Sequence, residues 1–404
     1  MSRLLRIAFL HPELGIGGAE RLVIDAAYGL EQAGHRVTIF TSRNDPRAFD
    51  GALRRTLDIR SYGGFLPLHI GNHLRVPCNV LRTGYVALRL GSSRERFDVI
   101  FCDLVSAPIP LLKLLSGARI VFYCHYPDRL LAPSGGALYR LYRMPLDWLE
   151  EVTTGMADRV MVNSRFTAAI FRHTFARLAD RELDIVYPGV DAGDYRAEEI
   201  GRNGGEVVIL SLNRYERTKN VRLAVQALGA MRDRVAPEVF ARVRLVVAGG
   251  FDERLSECHE TLAELETLAE RLGLRGQVTF LKSLSEPERI ELLARCRCVA
   301  HTFEREHFGY VPVEAMAAGR PVVAVNAGGP AETVIDGVTG YLCPPTKEAF
   351  AVALARLVED DAAARAMGRA AREHVTRNFS RQMFAARLEE IIRAVTGGAA
   401  RGRA

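Results

Sequence analysis

Two glutamates in the second half of the chain are candidates for sugar chemistry because of their spacing. Glu306 and Glu314 are eight positions apart, and a Phe-Gly pair and Pro312 lie between them. The apolar run CVAH precedes them, and a proline fits the first turn of a helix, so Glu306 is predicted in a loop and Glu314 in a first helical turn. A carboxylate in a first turn also stabilises the helix without a ligand, which leaves Glu314 ambiguous. Glu306 has no such structural role, and its carboxylate can accept hydrogen bonds from sugar hydroxyls.

Cationic and glycine residues follow other predicted strands. Arg214, Arg217 and Lys219 lie in the loop of VILSLNRYERTKN, ahead of a helical pattern. Such charges at the carboxyl end of a strand suit a diphosphate, although a solvated loop is the commoner setting for a Lys/Arg pair. Gly17 and Gly18 follow the first strand, where they expose backbone N–H groups to an anion or simply allow a tight turn.

The glycine-rich turn after the first strand does not fit a dinucleotide-binding fingerprint. A G-x-G-x-x-G pattern from Gly15 requires glycine at position 20, where the chain has Glu20. The second predicted strand ends in Thr41 and Ser42, without the acidic residue that binds the ribose of NAD. These departures argue against a nicotinamide cofactor, and no other cofactor is predicted.

Positive charge is concentrated in one part of the first half. The net charge of the chain is +6, and residues 51–143 contain 13 Lys or Arg against 5 Asp or Glu, a local net charge of +8. No Lys/Arg-rich run or nucleic-acid motif accompanies this excess, which argues against DNA or RNA binding. An anionic lipid surface or a phosphorylated substrate fits the charge better.

The sequence predicts a protein of the reducing cytosol without a membrane span. The best candidate span, residues 104–123, has Lys113 at its centre and contains two prolines. Residues 76–90 fit either an amphipathic helix on a bilayer surface or a half-buried helix. The seven cysteines are odd in number and form no C-x-x-C motif, which indicates neither disulfides nor a zinc site.

Both halves of the chain alternate β-branched runs with helical patterns, which predicts parallel sheets with helices on both faces. The expected fold class is α/β, with two doubly wound Rossmann-like domains that face a cleft. We expect an acceptor-side domain over 1–195, a nucleotide-sugar domain over 196–378, and a C-terminal helix and tail over 379–404. The join falls in the polar, glycine-rich segment 188–205. Ligands of open α/β sheets bind beyond the carboxyl ends of the strands, so the loops there are the informative ones.

The spaced glutamates, together with EAMAAGRPVVA and AGGPAE, resemble the retaining GT-B glycosyltransferases of family 4. The resemblance covers nearly the whole chain, since GGAERLV, NRYERTKN, VAGG and HFGYVPVEAM occur in the expected order. Longer stretches, among them FYCHYPDRLLA and GGFDERL, are similar to the mannosyltransferases of dolichyl-diphosphate oligosaccharide assembly.

This resemblance implies roles for individual residues. Glu306 would contact the donor sugar and Glu314 the ribose, while Arg214 and Lys219 would neutralise the departing diphosphate. His125, in CHYPD, would lie beside the donor sugar and near the acceptor, although a lone histidine is more often a core residue. The other implied donor-binding residues line the sugar and phosphates, several through their backbone groups: Gly17, Gly18, Phe308, Gly309, Tyr310, Asn326, Gly328 and Gly329.

The implied activity is a retaining transfer of mannose from GDP-mannose to a lipid-diphosphate-linked oligosaccharide, with α-1,3 and/or α-1,6 linkages. The chain contains no Asp-x-Asp pair, the usual carboxylate seat of a divalent ion, so we expect no metal site and a metal-independent reaction. Glu306 is expected to orient the sugar rather than to act as a nucleophile.

A polyprenyl or dolichyl diphosphate acceptor implies a peripheral enzyme on the cytoplasmic face of a membrane, which docks through residues 51–143. The alternatives are a family 4 enzyme that uses another nucleotide sugar for cell-surface polysaccharide, a sugar-nucleotide epimerase or hydrolase, and a non-catalytic scaffold.

Overall fold

The described part of the chain forms two compact units. The computed structural model describes residues 3–15, 17–45, 56–69, 74–132, 136–195 and 205–397. One unit comprises residues 1–189 together with 381–404, and the other comprises residues 190–380. Within the predicted join and tail, residues 196–204 and 398–404 lie outside the described residues.

The first unit is built on a parallel sheet with the order β3-β2-β1-β4-β5-β6-β7. Its strands are β1 (Arg6–His11), β2 (Arg36–Thr41), β3 (Asp58–Ser61), β4 (Val99–Asp103), β5 (Arg119–Cys124), β6 (Arg159–Val162) and β7 (Leu183–Ile185). Among its described residues, the helices that precede the last one are α1 (Gly18–Gln32), α2 (Arg75–Gly91), α3 (Ile109–Ser116), α4 (Asp128–Leu131), α5 (Ala137–Gly155) and α6 (Arg165–Thr174). The strand order reverses between β1 and β4, which is where a binding crevice opens in such a sheet.

The second unit repeats this arrangement with the sheet order β10-β9-β8-β11-β12-β13. Its strands are β8 (Val207–Leu212), β9 (Val243–Gly249), β10 (Val278–Lys282), β11 (Cys298–His301), β12 (Val322–Val325) and β13 (Gly340–Cys343). Its helices are α7 (Val221–Met231), α8 (Pro237–Phe240), α9 (Ser256–Arg271), α10 (Glu286–Arg295), α11 (Tyr310–Ala317), α12 (Pro330–Thr333), α13 (Lys347–Glu359) and α14 (Asp361–Asn378). Here the order reverses between β8 and β11, so the loops after these two strands flank the corresponding crevice.

Helices cover both faces of the first sheet because successive side chains of a strand point to opposite faces. Ile7 and Phe9 of β1 belong to an apolar core that includes α1. Ala8 and Leu10 belong to a second core on the other face, together with residues of α2, α3 and α6. Strands that are apolar on both faces are typical of parallel sheets, and the predicted doubly wound α/β architecture is confirmed.

The last helix, α15 (Arg381–Gly397), packs against α1 of the first unit. Phe384, Leu388 and Ile392 are buried in the core that α1 and β1 share. Burial of one such side chain stabilises a fold by about 1.5–3 kcal/mol, so the three together hold the helix firmly on this unit. Arg381 Nε also lies 2.8 Å from Asp25 Oδ1 on α1.

The observed division differs from the predicted boundaries at both crossings. The first crossing follows residue 189 rather than 195, and the last helix belongs to the first unit rather than to a separate segment. Within the second unit, the backbone N–H of Val190 donates to the carbonyl oxygen of Phe379 at 2.8 Å, which joins the two crossing points. The apolar face of α15 is visible in the sequence, but the helix it packs on is not.

Candidate functional site

The predicted donor-site residues of the second unit lie on loops that follow three adjacent strands. Lys219 follows β8, Glu306 follows β11, and Gly328 follows β12. Because the strands are parallel, their carboxyl ends meet at one edge of the sheet. The fold therefore gathers these separate sequence motifs into one place.

The carboxylate of Glu306 is at the centre of a small charged cluster. Lys219 Nζ lies 3.7 Å and His301 Nε2 lies 3.5 Å from Glu306 Oε2. Burial by itself raises the pKa of Glu306, but His301, Lys219 and His307 together outweigh it and lower the pKa to about 2. Glu306 is therefore ionised at neutral pH, and such a weak base is poorly suited to general base catalysis.

The position of Lys219 is fixed by its neighbours. Its ammonium lies 3.8 Å from the ring centroid of Phe303, within the range of a cation–π contact. Thr302 Oγ1 donates a hydrogen bond to the carbonyl oxygen of Lys219 at 2.8 Å. Asn220 follows with a φ of +49°, a left-handed conformation that asparagine tolerates, and α7 begins directly after it. These contacts hold the ammonium group of Lys219 at a defined position.

Two glycines let the loop after β12 approach the loop of Glu306. The N–H of Gly329 donates to the Glu306 carbonyl oxygen at 2.7 Å. A Cβ on Gly328 would collide with that same carbonyl oxygen, and a Cβ on Gly329 would collide with the backbone of Phe308. Gly309 has a φ of +94° and precedes α11, whose first N–H groups have no intrahelical acceptor. Only glycine allows this packing, which supports the loop that carries Glu306.

The aromatic and amide residues predicted at the site have different surroundings. The Phe308 ring is buried and packs edge-on against Tyr310 at 5.4 Å between centroids. Asn326 is exposed, and its backbone N–H donates to the carbonyl oxygen of Cys343 at 2.8 Å. Phe308 therefore supports the loop through its side chain, while the Asn326 side chain faces solvent.

Glu314 is buried in α11 and forms an ion pair with Arg289 of α10. Arg289 also pairs with Glu286 at 2.6 Å. Burial lowers the pKa of the Arg289 guanidinium, but the charge of Glu314 and the hydrogen bond to Glu286 outweigh burial. The pKa of Arg289 is therefore above its ordinary value. The expected ribose contact of Glu314 stays a prediction. Sequence reasoning missed Arg289, since only the fold brings α10 beside α11.

Arg214, which is expected to neutralise the diphosphate together with Lys219, has different surroundings from that lysine, and its role stays a prediction. Its side chain is 68% exposed, and its Nη1 lies 3.0 Å from Glu216 Oε1. Among the described residues it has no contact with Glu306 or Lys219. Its neighbour Tyr215, by contrast, is buried and donates to the carbonyl oxygens of Val247 and Leu281. The structure thus gathers Lys219 but not Arg214 with Glu306.

In the first unit, His125 lies directly after β5 and is bonded to a buried aspartate. His125 Nε2 is 2.8 Å from Asp103 Oδ1, and His11 Nδ1 is 2.8 Å from Asp103 Oδ2. His11 and Asp103 end β1 and β4, the two strands that flank the reversal of strand order. Sequence reasoning missed both, although a polar residue that ends a buried strand was a usable signal. His301, which ends β11, was missed in the same way.

Gly17 and Gly18 lie where α1 begins, as expected from the sequence. Gly17 is extended, with a φ of 179°, and its carbonyl oxygen accepts from the N–H of Arg21 at 3.1 Å. The carboxylate of Glu20 folds over Gly17, so that a Cβ there would meet it. A carboxylate at a helix start is favourable by itself, and an incoming diphosphate would have to displace Glu20. Binding of a diphosphate here stays a prediction.

A separate polar cavity of about 410 Å³ lies at the opposite edge of the first sheet. Arg6, Glu31, His35 and Asp58 are among its lining residues, near the amino ends of β1, β2 and β3. Ligands of parallel α/β sheets bind at the carboxyl edge, so this cavity is not assigned to the site.

The described residues contain neither a metal-binding cluster nor a membrane-spanning helix. No group of three or more His, Cys, Asp or Glu side chains within the described ranges has an arrangement that could hold a metal ion. No helix in the described part of the chain combines the length and the apolar character needed to cross a membrane. The seven cysteines are all buried and free.

Comparison with known proteins identifies relatives along nearly the entire chain. Residues 16–194 match the family Glycosyltransferase Family 4, and residues 196–374 match Glycosyl transferases group 1. The human alpha-1,3/1,6-mannosyltransferase ALG2 is 43% identical over 401 residues, which cover 96% of this chain and 95% of the human protein. The protein of the same name from Dictyostelium discoideum is 40% identical over 412 residues, with coverage of 96% and 98%.

Solved structures with low sequence identity share the fold. Sucrose-phosphate synthase from Thermosynechococcus elongatus superposes with a TM-score of 0.78 at 21% identity, over 98% of this chain and 100% of the other. HepE from Anabaena, solved with UDP and glucose, gives 0.70 at 22% identity, over 96% and 100%. These similarities confirm the GT-B fold, and the sequence relatives confirm the expected family. The chain therefore belongs to the alpha-1,3/1,6-mannosyltransferases, a branch of the family 4 glycosyltransferases.

Proposed function

We propose that this protein transfers mannose from GDP-mannose to a lipid-diphosphate-linked oligosaccharide, with retention of configuration and with α-1,3 and/or α-1,6 linkages. The cluster of Glu306, Lys219 and His301 at the carboxyl edge of the second sheet carries the proposal. Membership of the mannosyltransferase family supports the choice of sugar and of acceptor.

The charges of the cluster suit the bond that breaks in this reaction. Cleavage of the bond between the sugar and the diphosphate builds positive charge on the ring and negative charge on the departing oxygen. Lys219 and the N–H groups at the start of α11 would stabilise the departing diphosphate electrostatically, and Arg214 would reach it from solvent. These groups replace the role that a metal ion has in other transferases, so we propose a metal-independent reaction.

Glu306 is assigned the role of a sugar-orienting group. As an ionised carboxylate it only accepts hydrogen bonds, which suits the hydroxyl groups of mannose. With a pKa of about 2 it is a poor acceptor for the proton of the attacking hydroxyl. We therefore assign that proton to the departing phosphate oxygen, on the same face of the sugar, which gives retention. Glu314 is proposed to hold the ribose while it stays paired with Arg289.

Nucleotide-sugar specificity is tested by thermal shift and product analysis together. Stabilisation by a ligand grows with the logarithm of its excess over its Kd, so GDP-mannose should raise the Tm more than UDP-glucose or UDP-GlcNAc. Mass spectrometry of the lipid acceptor should show added hexose only with GDP-mannose. A larger shift and product with a UDP-sugar would favour the polysaccharide alternative. Release of free mannose or a changed nucleotide sugar without acceptor would favour a hydrolase or an epimerase.

A membrane-docking face on the first unit is the second part of the proposal. Helix α3 packs against α2 and α5, and the three expose large apolar side chains to solvent. On α5 the exposed apolar residues are Leu141, Met144 and Trp148, at the i, i+3, i+7 spacing of one helical face. Leu114 of α3 is 80% exposed.

Exposed cations lie on the helices that carry this apolar face. Arg75, Arg89, Lys113 and Arg140 on the same three helices are exposed. Attraction to anionic lipid contributes about 1 kcal/mol for each cation near the surface, and the apolar side chains add burial in the interface. A diphosphate lipid acceptor requires such a surface. The buried, unpaired cysteines are consistent with the cytoplasmic side of the membrane.

Flotation with liposomes that contain anionic lipid tests the docking face. The triple variant Leu141→Ser, Met144→Ser, Trp148→Ser should lose most of its flotation and keep its activity on a soluble acceptor. A matched control carries Leu255→Ser and Val338→Ser, two exposed apolar residues of the second unit, and should float like the wild type. Equal flotation of the triple variant and the wild type would contradict the proposed face.

A further inference from the structure

Three polar side chains meet where neighbouring strands of the first sheet end. His11 ends β1, Asp103 ends β4, and His125 follows β5 directly, and these three strands are adjacent in the sheet. Each oxygen of the Asp103 carboxylate faces one imidazole, with Oδ1 2.8 Å from His125 Nε2 and Oδ2 2.8 Å from His11 Nδ1. We name these three residues the His-Asp-His array.

The burial of the array requires that its carboxylate be fully hydrogen-bonded. The side chains of Asp103 and His11 have no solvent exposure, while that of His125 is 14% exposed. Burial raises the pKa of Asp103, but the two imidazoles outweigh it and hold the pKa below its ordinary value. Asp103 is therefore an ionised carboxylate that accepts from both rings, and an unpaired charge at this depth would be costly.

The hydrogen bonds that Asp103 accepts determine which nitrogen of each imidazole carries a hydrogen. An ionised carboxylate only accepts, so His125 Nε2 and His11 Nδ1 are both N–H donors. His11 Nε2 is buried without a hydrogen-bond partner among the described residues, so it is most easily left as a bare lone pair. In His125, the most exposed member of the array, Nδ1 is the nitrogen that does not face Asp103.

The His125 ring and its backbone are held from other sides as well. The ring packs on Tyr123 with 4.9 Å between centroids. The carbonyl oxygen of His125 accepts from Asn163 Nδ2 at 3.1 Å. Tyr123 lies on β5 and Asn163 follows β6, so both partners are held by the sheet. The ring can then turn only about its Cβ–Cγ bond, and the hydrogen bond to Asp103 prevents this rotation.

We propose that Asp103, held in turn by His11, is a positioning residue for the glycosyl transfer, which fixes His125 with Nε2–H toward the carboxylate and Nδ1 toward a sugar hydroxyl. The inference rests on the proposed function and on the place beside the donor sugar that the family resemblance implies for His125. It assigns to Asp103 the part that an aspartate has beside the histidine of a Ser-His-Asp triad, where it sets orientation and tautomer without touching the substrate. His11 holds the second carboxylate oxygen and prevents the group from turning away.

Other titratable groups close to the array are few. Burial, with a contribution from Asp103, raises the pKa of the neighbouring thiols of Cys102 and Cys124, so both stay neutral at working pH. Glu150 of α5 accepts from two backbone N–H groups at the start of α4, and burial raises its pKa to about 7.

Kinetics of Asp103→Asn test the positioning role. The variant keeps the shape of the side chain but removes the charge and offers an N–H in place of one acceptor. We expect kcat for mannose transfer to fall about 100-fold or more, with the KM for GDP-mannose changed less than about threefold, because the nucleotide is held in the second unit. His11→Asn, which removes only the second contact of the carboxylate, should lower kcat by about tenfold. A wild-type kcat in Asp103→Asn would overturn the proposal.

A spectroscopic measurement keeps the test independent of activity and of folding of the variant. Histidine labelled with ¹⁵N in the wild-type protein should show a hydrogen on Nε2 of His125, assigned by its absence in His125→Gln. A hydrogen on Nδ1 with a bare Nε2 would overturn the proposal. If the wild type transfers no mannose at all, the proposed function fails, whereas the tautomer measurement still decides whether Asp103 orients His125.

Discussion

Substitution of Glu306 by glutamine tests the charged cluster through stability and activity at once. In the folded protein the pKa of Glu306 is about 2, against an ordinary value of 4.5. This difference corresponds to about 3 kcal/mol of stabilisation of the folded carboxylate at neutral pH. Because the amide oxygen of glutamine can still accept a hydrogen bond from Lys219 or from the buried His301, we expect Glu306→Gln to cost about 1–3 kcal/mol. For a unit of this size the Tm of the second unit should fall by about 3–10 °C.

The pH dependence of this effect follows from the direction of the pKa. Because the folded pKa lies below the unfolded one, the contribution of Glu306 is present above pH 4.5 and is lost as the pH falls toward 2. The Tm difference between wild type and Glu306→Gln should be constant from pH 7 to 5. By pH 3.5 the difference in unfolding free energy between wild type and Glu306→Gln should be about 1 kcal/mol smaller than at pH 7.

Differential scanning calorimetry and a mannose-transfer assay on the same samples give the readout. The matched control is Glu304→Gln, an exposed glutamate of the same loop, which should change neither the Tm nor the rate by much. Glu306→Gln should also reduce transfer by about 100-fold or more, because the amide cannot reproduce a charged acceptor. Equal Tm values for the two variants at pH 7, or a difference that does not change down to pH 3.5, would refute the reasoning about the cluster.

Three further substitutions test other parts of the site. Glu314→Gln breaks the buried pair with Arg289 and should cost about 3 kcal/mol in unfolding free energy. Glu286→Gln, on the exposed side of Arg289, should cost less than about 1 kcal/mol. Equal losses in the two variants would count against a buried pair. Gly328→Ala should destabilise the second unit by about 1–3 kcal/mol more than Gly337→Ala, since both glycines have positive φ but only a Cβ at 328 meets backbone, and thermal unfolding compares them. Arg214→Gln should weaken GDP-mannose binding less than tenfold by calorimetry, because the side chain is largely exposed; a larger loss would return Arg214 to the centre of the site.

The sequence predicts the architecture and the loops well because both depend on local pattern. β-branched runs that alternate with helices imply parallel sheets, and parallel sheets place the ends of their strands at one edge. The position of Glu306 in a loop followed from one strand and one proline. The prediction of Glu314 in a first helical turn was wrong, because α11 begins at Tyr310 rather than near Pro312 and Glu314 is its fifth residue. The partners of these residues could not be predicted in the same way, since Arg289 and Glu314 are 25 residues apart in the sequence and meet only in the fold.

Side-chain environment was the second limit. Arg214 and Lys219 lie in the same loop and have the same predicted role. In the structure, however, Arg214 is exposed beside Glu216, whereas Lys219 is held against Phe303. Likewise, His125 was expected near the sugar, but its bond to Asp103 depends on the register of β4 against β5, which spacing does not reveal. The polar residues that end buried strands, His11, Asp103 and His301, are the signal that a closer inspection of the sequence would use.

Calorimetric binding of GDP-mannose to the wild type and to Lys219→Met tests the central claim most directly. Loss of one charge-assisted contact to the diphosphate is worth about 1.5–3 kcal/mol, so the Kd should rise by about 10- to 100-fold. Lys347→Met, which removes an exposed lysine of the same unit, should leave the Kd unchanged. An unchanged Kd in Lys219→Met would contradict the claim that the carboxyl edge of the second sheet holds the diphosphate through Lys219.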